Sequence, residues 1–439
     1  MTLFEIQKYA KLNKEQTRKE IISFIKEKFK NTEVEDIKSL NINSSAVSVN
    51  SVNGFIITEN KEYFFKFHAE ENEKNTVDEY YANAILEEVG FPTLKPLLMS
   101  TKANEQFLIY EKIEDPTLYD VCESLDLKFL NFMSNPHEKT CDINSTEIKN
   151  DYSIDKVCEL ESNFCELMYS VFDKTKKEVS SEVVADEVVW QLFHHRLHGE
   201  NPRVDIFYKD KMVNLPNGDK ISYEKLKNLK WEINGVLFQE SIDELVQRAK
   251  EIVNPNARES WFVCVAHGDD HNGNKFYRVQ RDELEYFDPA FAGKNIPITL
   301  APVKTTFHDI FAHPFYFYSD KTILNILELD ISIDNDTIKV KHNFDIEKIA
   351  PHRVELLKVK FDKLWKPILE NIPKEKRAEE MEFIKKALFC CPFLCKNLID
   401  ENNFFPKSSI LALSIAVQMG TYAKNGDENL IDKLLSQYL

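Results

Sequence analysis

The sequence predicts an α+β protein in two lobes: a small β-rich N-terminal lobe and a large, mainly helical C-terminal lobe carrying a long inserted region. Three observations lead there. Strand signals cluster between Ile42 and Phe67, a strand–loop–strand segment lies at 261–288, and from Phe344 onward the apolar residues recur at helical spacing.

The first thirty residues place Ile21, Ile22, Phe24, Ile25 and Phe29 on an apolar stripe among lysines and glutamates, the pattern of an outer helix. A three-stranded meander follows. Val47 and Val49 alternate with polar residues, Phe55, Ile56 and Ile57 come next, and Tyr63, Phe64, Phe65 and Phe67 follow a Glu59-Asn60-Lys61 turn. Asn50-Ser51-Val52-Asn53-Gly54 reads as the turn between the first two strands. Its backbone N–H groups and the Ser51 and Asn53 side chains could cradle phosphates, or it is a plain hairpin turn.

Lys66 sits inside the aromatic third strand. Alternation puts it on the same side as Phe64 and His68, so it faces a cleft or snorkels from an edge strand. A helix is then predicted from Asn75-Thr76, with Val77, Tyr80, Tyr81, Ala84, Ile85 and Val89 on its apolar side, Gly90 at its end and Pro92 beyond. Glu79 is the last member of a capping-box sequence, Thr76-Val-Asp-Glu79. Phe107 to Ile113 reads as an apolar strand running into a turn at Glu114-Asp115-Pro116, which sets a boundary near Asp115.

The region 118–258 is less patterned. Residues 134–153 read as an exposed polar loop, and Val157 to Phe172 as a helix with Leu160, Phe164, Leu167, Met168 and Phe172 on one face. Val183 to Leu197 reads as another helix. His194, His195 and His198 lack a carboxylate or cysteine at ligand spacing, and adjacent histidines point different ways, which argues against a metal. Arg196 and Arg203 could grip an anionic substrate bidentately or form surface ion pairs. Asn217-Gly218 marks a tight hairpin, and Ser241-Ile-Asp-Glu244 opens a capped helix running to about Ile252 that should pack behind the strand at 261.

The most informative stretch is 264–290. Trp261 to Val265 is an apolar run that reads as a strand feeding His267-Gly268-Asp269-Asp270-His271-Asn272-Gly273-Asn274. Leu284, Tyr286 and Phe287 read as a strand delivering Asp288. Phosphoryl transfer is the chemistry that needs this set: Asp269 accepts or orients the proton of an attacking hydroxyl, while Asn274 and Asp288 offer hard oxygen ligands to Mg²⁺. As a local turn alone, the Asp, Asn and Gly residues would need no flanking strands.

His-Gly-Asp-x-x-x-x-Asn, followed by a strand and Asp288-Pro289-Ala290, resembles the aminoglycoside phosphotransferase and choline kinase group, the small-molecule branch of the protein-kinase-like fold. The resemblance covers roughly 40–116 and 255–295. It implies an N-terminal lobe over 1–115 with a hinge at 107–115, and a C-terminal lobe over 116–439. The catalytic loop would be 264–290, and the insertion at 118–258 would shape the acceptor pocket. ATP would bind between the lobes, with Lys66 on its phosphates and Glu111 and Ile113 at the base beside Tyr110; Glu79 would pair with Lys66 unless it only caps its helix, and Glu73 and Glu87 are the alternative partners. Mg²⁺ would be held by Asn274 and Asp288. Asp270, which departs from the family's usual apolar residue, would approach the metal or a cationic acceptor. No glycine-rich loop precedes Lys66.

The implied activity is transfer of the ATP γ-phosphate to a small-molecule hydroxyl. Alternatives are modification of a protein or peptide by phosphate or AMP, and a catalytically dead nucleotide-binding module.

Composition bounds these readings. A 439-residue chain with 43% apolar and 29% charged residues suits a globular protein with sizeable cores. A net charge of −17 argues against general nucleic-acid or anionic-membrane binding. Met1 to Tyr9 lacks the pattern of a signal peptide, no apolar run is long enough to span a bilayer, and eight scattered cysteines suit a reducing cytoplasm. Cys390, Cys391 and Cys395 sit among Phe389, Phe393 and Leu394, as helix-core residues would. The aromatic run Phe307 to Tyr318 is expected to pack beneath the site, with His308 or Asp309 able to touch substrate.

Overall fold

The computed structural model describes residues 3, 5–6, 13–43, 52–67, 78–100, 107–134, 152–313, 317, 326–426 and 428–438; for 78–81, 130–134 and 438 it describes the backbone alone. The chain divides into two units. One comprises Met1–Pro116 with Glu285–Ala290, and the other Thr117–Leu284 with Phe291–Leu439.

The first unit opens with helix α1 (Lys14–Lys28), capped by Asn13, whose Oδ1 accepts from the Gln16 N–H at 3.1 Å. Its sheet contains β1 (Ser39–Ile42), β2 (Val52–Ile57) and β3 (Glu62–Phe67). Helix α2 (Asp78–Glu88) follows, then β4 (Leu98–Met99) and β5 (Phe107–Glu111). The strand order is β1-β2-β3-β5-β4, antiparallel throughout. Period-two alternation sorts the sheet into two faces. Tyr63, Phe65, Phe67, Phe107 and Ile109 pack with Ile21, Phe24, Ile25 and Phe29 of the α1 region to form the core of this unit. Phe107 stacks on Phe65 and Phe67 with centroids 5.5 Å apart in each case.

One expectation changes here, and another falls outside the described residues. The first strand is Ser39–Ile42, and the segment around Val47 and Val49 lies outside the described residues. Val52, Asn53 and Gly54 are not a turn but the start of β2, with Asn53 opposite Lys66. Gly54 is required for a packing reason: a Cβ there would stand 1.9 Å from the Asn41 carbonyl oxygen across the β1–β2 ladder.

The second unit begins with α3 (Leu118–Ser134) and α4 (Ile154–Thr175). Ser153 caps α4, which buries Val157, Leu160, Phe164, Met168 and Phe172. After β6 (Lys177–Ser180), the single helix expected over Val183–Leu197 is broken. A short turn at Ser181–Ala185 gives way to a 3-10 turn at Val188–Leu192 and then α5 (His194–Leu197). The break has a local cause, because extended backbone at Glu187 lets Trp190 Nε1 turn back and donate to the Val184 carbonyl at 2.8 Å. Next come α6 (Arg203–Tyr208), the hairpin β7 (Met212–Asn214) and β8 (Lys220–Ser222) with Gly218 at φ 91°, then β9 (Lys230–Ile233) and β10 (Val236–Leu237).

Helix α7 (Ile242–Ile252) carries the full capping box: the Glu244 N–H donates to Ser241 Oγ at 3.3 Å, and the Ser241 N–H to Glu244 Oε2 at 2.6 Å. Strand β11 (Ser260–Ala266) follows, then β12 (Lys275–Arg278), β13 (Glu283–Tyr286), β14 (Gly293–Pro297) and the short helix α8 (Val303–Thr306). β11 lies between β14 and β6 in an antiparallel sheet. β15 (Leu329–Asp334) and β16 (Thr337–His342) join β9 and β10 in a four-stranded sheet through a parallel β9–β16 pairing, a long-range union that no local pattern announces.

The C-terminal helices are α9 (Pro351–Lys360), α10 (Arg377–Cys395), α11 (Pro406–Gly420) and α12 (Leu430–Leu435). Helix α7 packs on α10 rather than behind β11, where Arg248 bonds the Glu382 carboxylate through two N–H groups at 2.5 and 2.8 Å. Cys390 and Cys391 are buried in α10, and burial pushes the Cys391 thiol up to about 12. Among the described residues no helix is long and apolar enough to cross a membrane.

Candidate active site

The face of the first-unit sheet away from α1 carries the row Asn53, Lys66, Leu108 and, beside it, the row Phe55, Phe64, Tyr110. Phe64 and Tyr110 pack edge-on against Phe287, with centroids 5.8 and 5.6 Å away. That contact seats residues 285–290. Tyr286 adds two backbone hydrogen bonds, donating to the Pro92 carbonyl and accepting from the Leu94 N–H, each at 2.8 Å. Asp288 follows directly. Its backbone is in the left-handed region at φ 56°, which an Asp tolerates at modest cost and which ends the strand. The Lys66 ammonium forms an ion pair with the Asp288 carboxylate.

The remaining first-unit candidates are placed as follows. Asn53 lies within β2, its Oδ1 accepting from Asn43 Nδ2 at 2.9 Å. Glu79 is on α2 with its side chain outside the described residues, as Ser51 is altogether. Glu111 ends β5, exposed and 4.0 Å from the Lys61 ammonium, and Ile113 is half-buried beyond it.

In the second unit, β11 delivers His267, Gly268 and Asp269. Gly268 is at φ 76°, and a Cβ on it would stand 2.1 Å from the Phe291 carbonyl oxygen. Gly268→Ala should therefore cost at least about 2 kcal/mol through strain and backbone displacement, read as a lowered urea midpoint. An unchanged midpoint would show that the turn has room to relax.

The loop then closes on itself. His271 Nδ1 accepts from the Gly273 N–H at 3.0 Å, opening a 3-10 turn over Asn272–Asn274. Asn274 Nδ2 donates to the Asp269 carbonyl at 2.9 Å, which leaves Oδ1 as the acceptor the side chain can offer outward.

Asp269 has a partner that sequence reasoning missed: the Lys304 ammonium, 2.9 Å from its Oδ1. Burial works to raise the Asp269 pKa but is outweighed, above all by Lys304 and then by His271, so the carboxyl is held well below its ordinary range. His308 nearby is held well below the usual imidazole range, first by burial and then by Lys304 and His271. The sequence did hold a signal for Lys304. It is the only charged residue between Lys294 and His308, in an otherwise apolar and hydroxyl-bearing run.

Asp270 lies inside the second unit. It is buried, and Lys275 pairs with it at 2.9 Å. Lys275 belongs to a buried ionic cluster with Glu161, Asp309 and Lys360: Asp309 lies 3.0 Å from Lys360 and 3.8 Å from Lys275, and Glu161 pairs with Lys360. Asp309 also accepts from the Asn272 N–H at 2.7 Å and from Thr305 Oγ1 at 2.6 Å, so the cluster anchors the loop from below. A second cluster adjoins it. Arg353 bonds Asp126 through two N–H groups at 2.9 and 2.6 Å and donates to the Asp309 carbonyl at 2.5 Å.

Arg203 donates to the Leu394 carbonyl at 3.3 Å and lies over Phe207, so at least part of its guanidinium serves packing. Arg196, half-buried on α5, makes no side-chain hydrogen bond or ion pair with the described residues. His194 and His198 stack with centroids 4.3 Å apart, and His198 Nε2 meets the Lys250 carbonyl. Among the described residues no group of three or more His, Cys, Asp or Glu side chains could hold a metal.

No family model matches the chain and no curated protein matches its sequence. Among solved structures it is similar to a spectinomycin phosphotransferase in complex with ADP and spectinomycin, at 11% identity and a TM-score of 0.38 over 96% of this chain and 99% of that one. It is similar to the choline kinase of Streptococcus pneumoniae, at 13% identity and a TM-score of 0.37 over 91% and 98%. A Plasmodium vivax ethanolamine kinase matches at 10% identity and a TM-score of 0.35 over 94% and 92%. Likenesses this distant assign no activity.

Proposed function

We propose that this chain is an ATP-dependent phosphotransferase that moves the γ-phosphoryl group to a hydroxyl of a small molecule. The observation that carries the reading is the pairing of Lys66 with Asp288. Two residues 222 positions apart, one placed on the phosphates by the family resemblance and the other singled out as a metal ligand, form an ion pair.

Mg²⁺ would be held by Asp288 and by Asn274 through Oδ1, and would offset phosphate charge. Lys66 would then turn from Asp288 to the nucleotide phosphates. Asp269, its carboxyl held below the ordinary range chiefly by Lys304, would orient the acceptor hydroxyl and receive its proton only late, as the new O–P bond forms. Free thiols at seven described cysteines suit a reducing cytoplasm as the site of action.

Thermal unfolding with and without Mg²⁺-ATP tests the reading. Nucleotide at a hundred times its dissociation constant should add about 2.7 kcal/mol to wild-type stability, seen as a raised midpoint that EDTA reverses. Asp288→Ala should lose most of the shift. A folded wild type whose midpoint moves with no nucleotide would sink the proposal.

A further inference from the structure

We infer that Lys304 is a further catalytic residue, whose ammonium contacts the phosphoryl group in transit to the acceptor oxygen that Asp269 orients. This rests on the phosphotransferase reading.

The argument comes from counting donors. An ammonium has three N–H groups, and a buried one is expected to spend them. Among the described residues the second unit buries four other lysines, and each meets at least two acceptors. Lys275 lies 2.9 Å from Asp270 and 3.4 Å from Thr305 Oγ1. Lys360 reaches Glu161, Thr305 Oγ1 at 2.8 Å and Asp309 at 3.0 Å. Lys385 meets Asp432 at 2.6 Å and the Gln418 carbonyl at 3.0 Å. Lys386 meets Glu240 at 2.7 Å and the Gly420 carbonyl at 2.9 Å.

Lys304 is 6% exposed, yet among the described residues its ammonium has Asp269 alone. Its other donors have no acceptor among the described residues, and the ammonium stands beside the carboxylate that would orient the acceptor. Its neighbours compete little for the role, since Thr305 is already committed to Asp309 and Thr306 donates to the Pro302 carbonyl.

An anionic group with several oxygens would use such donors, and the phosphoryl in flight carries its charge on three equatorial oxygens. In the step itself, the acceptor oxygen bonds to the γ-phosphorus and the bond to the ADP oxygen breaks, its electron pair leaving on ADP. The hydroxyl proton passes to Asp269 and on to solvent. Lys304 stays charged throughout and holds the moving oxygens.

The test needs no acceptor. Calorimetric titration of the full chain with Mg²⁺-ADP, alone and with aluminium fluoride as a mimic of the moving phosphoryl, should show fluoride tightening wild-type binding at least about tenfold. K304M should bind ADP within about twofold of wild type and lose the fluoride gain, as removal of a donor to developing charge implies. K304R should keep part of the gain. A residue that only neutralises Asp269 would add nothing when K304M is placed in the D269N background, whereas a phosphoryl contact predicts a further loss there.

Circular dichroism checks folding, and K304Q replaces K304M if the latter does not fold. A full fluoride gain in the neutral variant, or no gain in a wild type that binds ADP, overturns the inference. A wild type that binds no nucleotide overturns the phosphotransferase reading itself.

Discussion

Asp309→Ala is expected to cost about 3–5 kcal/mol of stability, the range for removing one member of a buried, hydrogen-bonded charge cluster. The side chain is 2% exposed and uses both oxygens: Oδ1 for the Asn272 N–H, Oδ2 for Thr305 and the two buried lysines. Alanine would leave a buried backbone donor orphaned, and Lys275 and Lys360 would have only Glu161 and Asp270 to offset them. Asp309→Asn keeps the shape and one accepting oxygen, so the difference between the two variants separates the hydrogen bond to the loop from the charge. Equilibrium urea unfolding at neutral pH reads both. A loss below about 1 kcal/mol for alanine would mean that the cluster repacks without Asp309.

The second large effect concerns rate. Asp269→Asn should lower phosphoryl transfer by about 10²–10⁴-fold, the usual contribution of a positioned proton-handling group, while Mg²⁺-ADP binding stays within about twofold. Asparagine preserves the shape and can still meet Lys304 through its carbonyl oxygen, so the fold is expected to survive. Turnover of Mg²⁺-ATP with water as the acceptor gives a rate before any natural acceptor is identified. Wild-type turnover in this variant would remove Asp269 from the chemistry and leave the loop a structural turn.

What the sequence made legible is what local physics decides. The Ser241–Glu244 capping box, the Asn217-Gly218 hairpin, the alternation that sets Lys66 on the Phe64 face, and the strand runs on either side of the loop all depend on neighbours within a few positions. What stayed hidden is settled by distant partners. Asp270 resembles any solvated turn residue until Lys275 and, beyond it, Glu161 and Lys360 are brought beneath the loop. The segment expected as a helix over 183–197 carries the apolar residues Val184, Val189, Trp190, Leu192, Phe193 and Leu197. Their burial on several sides of a bent segment, tied by Trp190 to Val184, cannot be told from one helical face by spacing alone. Gly54 pointed to a turn, yet its glycine answers to the Asn41 carbonyl on the neighbouring strand.

The first unit is discontinuous in sequence, and that has a consequence for how the protein is made. Phe287 and Asp288, which cover the Phe64–Tyr110 row and pair with Lys66, leave the ribosome 222 residues after that lysine. At 5–20 residues per second the wait is roughly 10–45 s. Throughout it, the aromatic face and a lysine built into the sheet lack their native cover. A fragment ending at Pro116 would carry that defect permanently, and adding back a peptide spanning residues 285–290 would be the natural way to repair it.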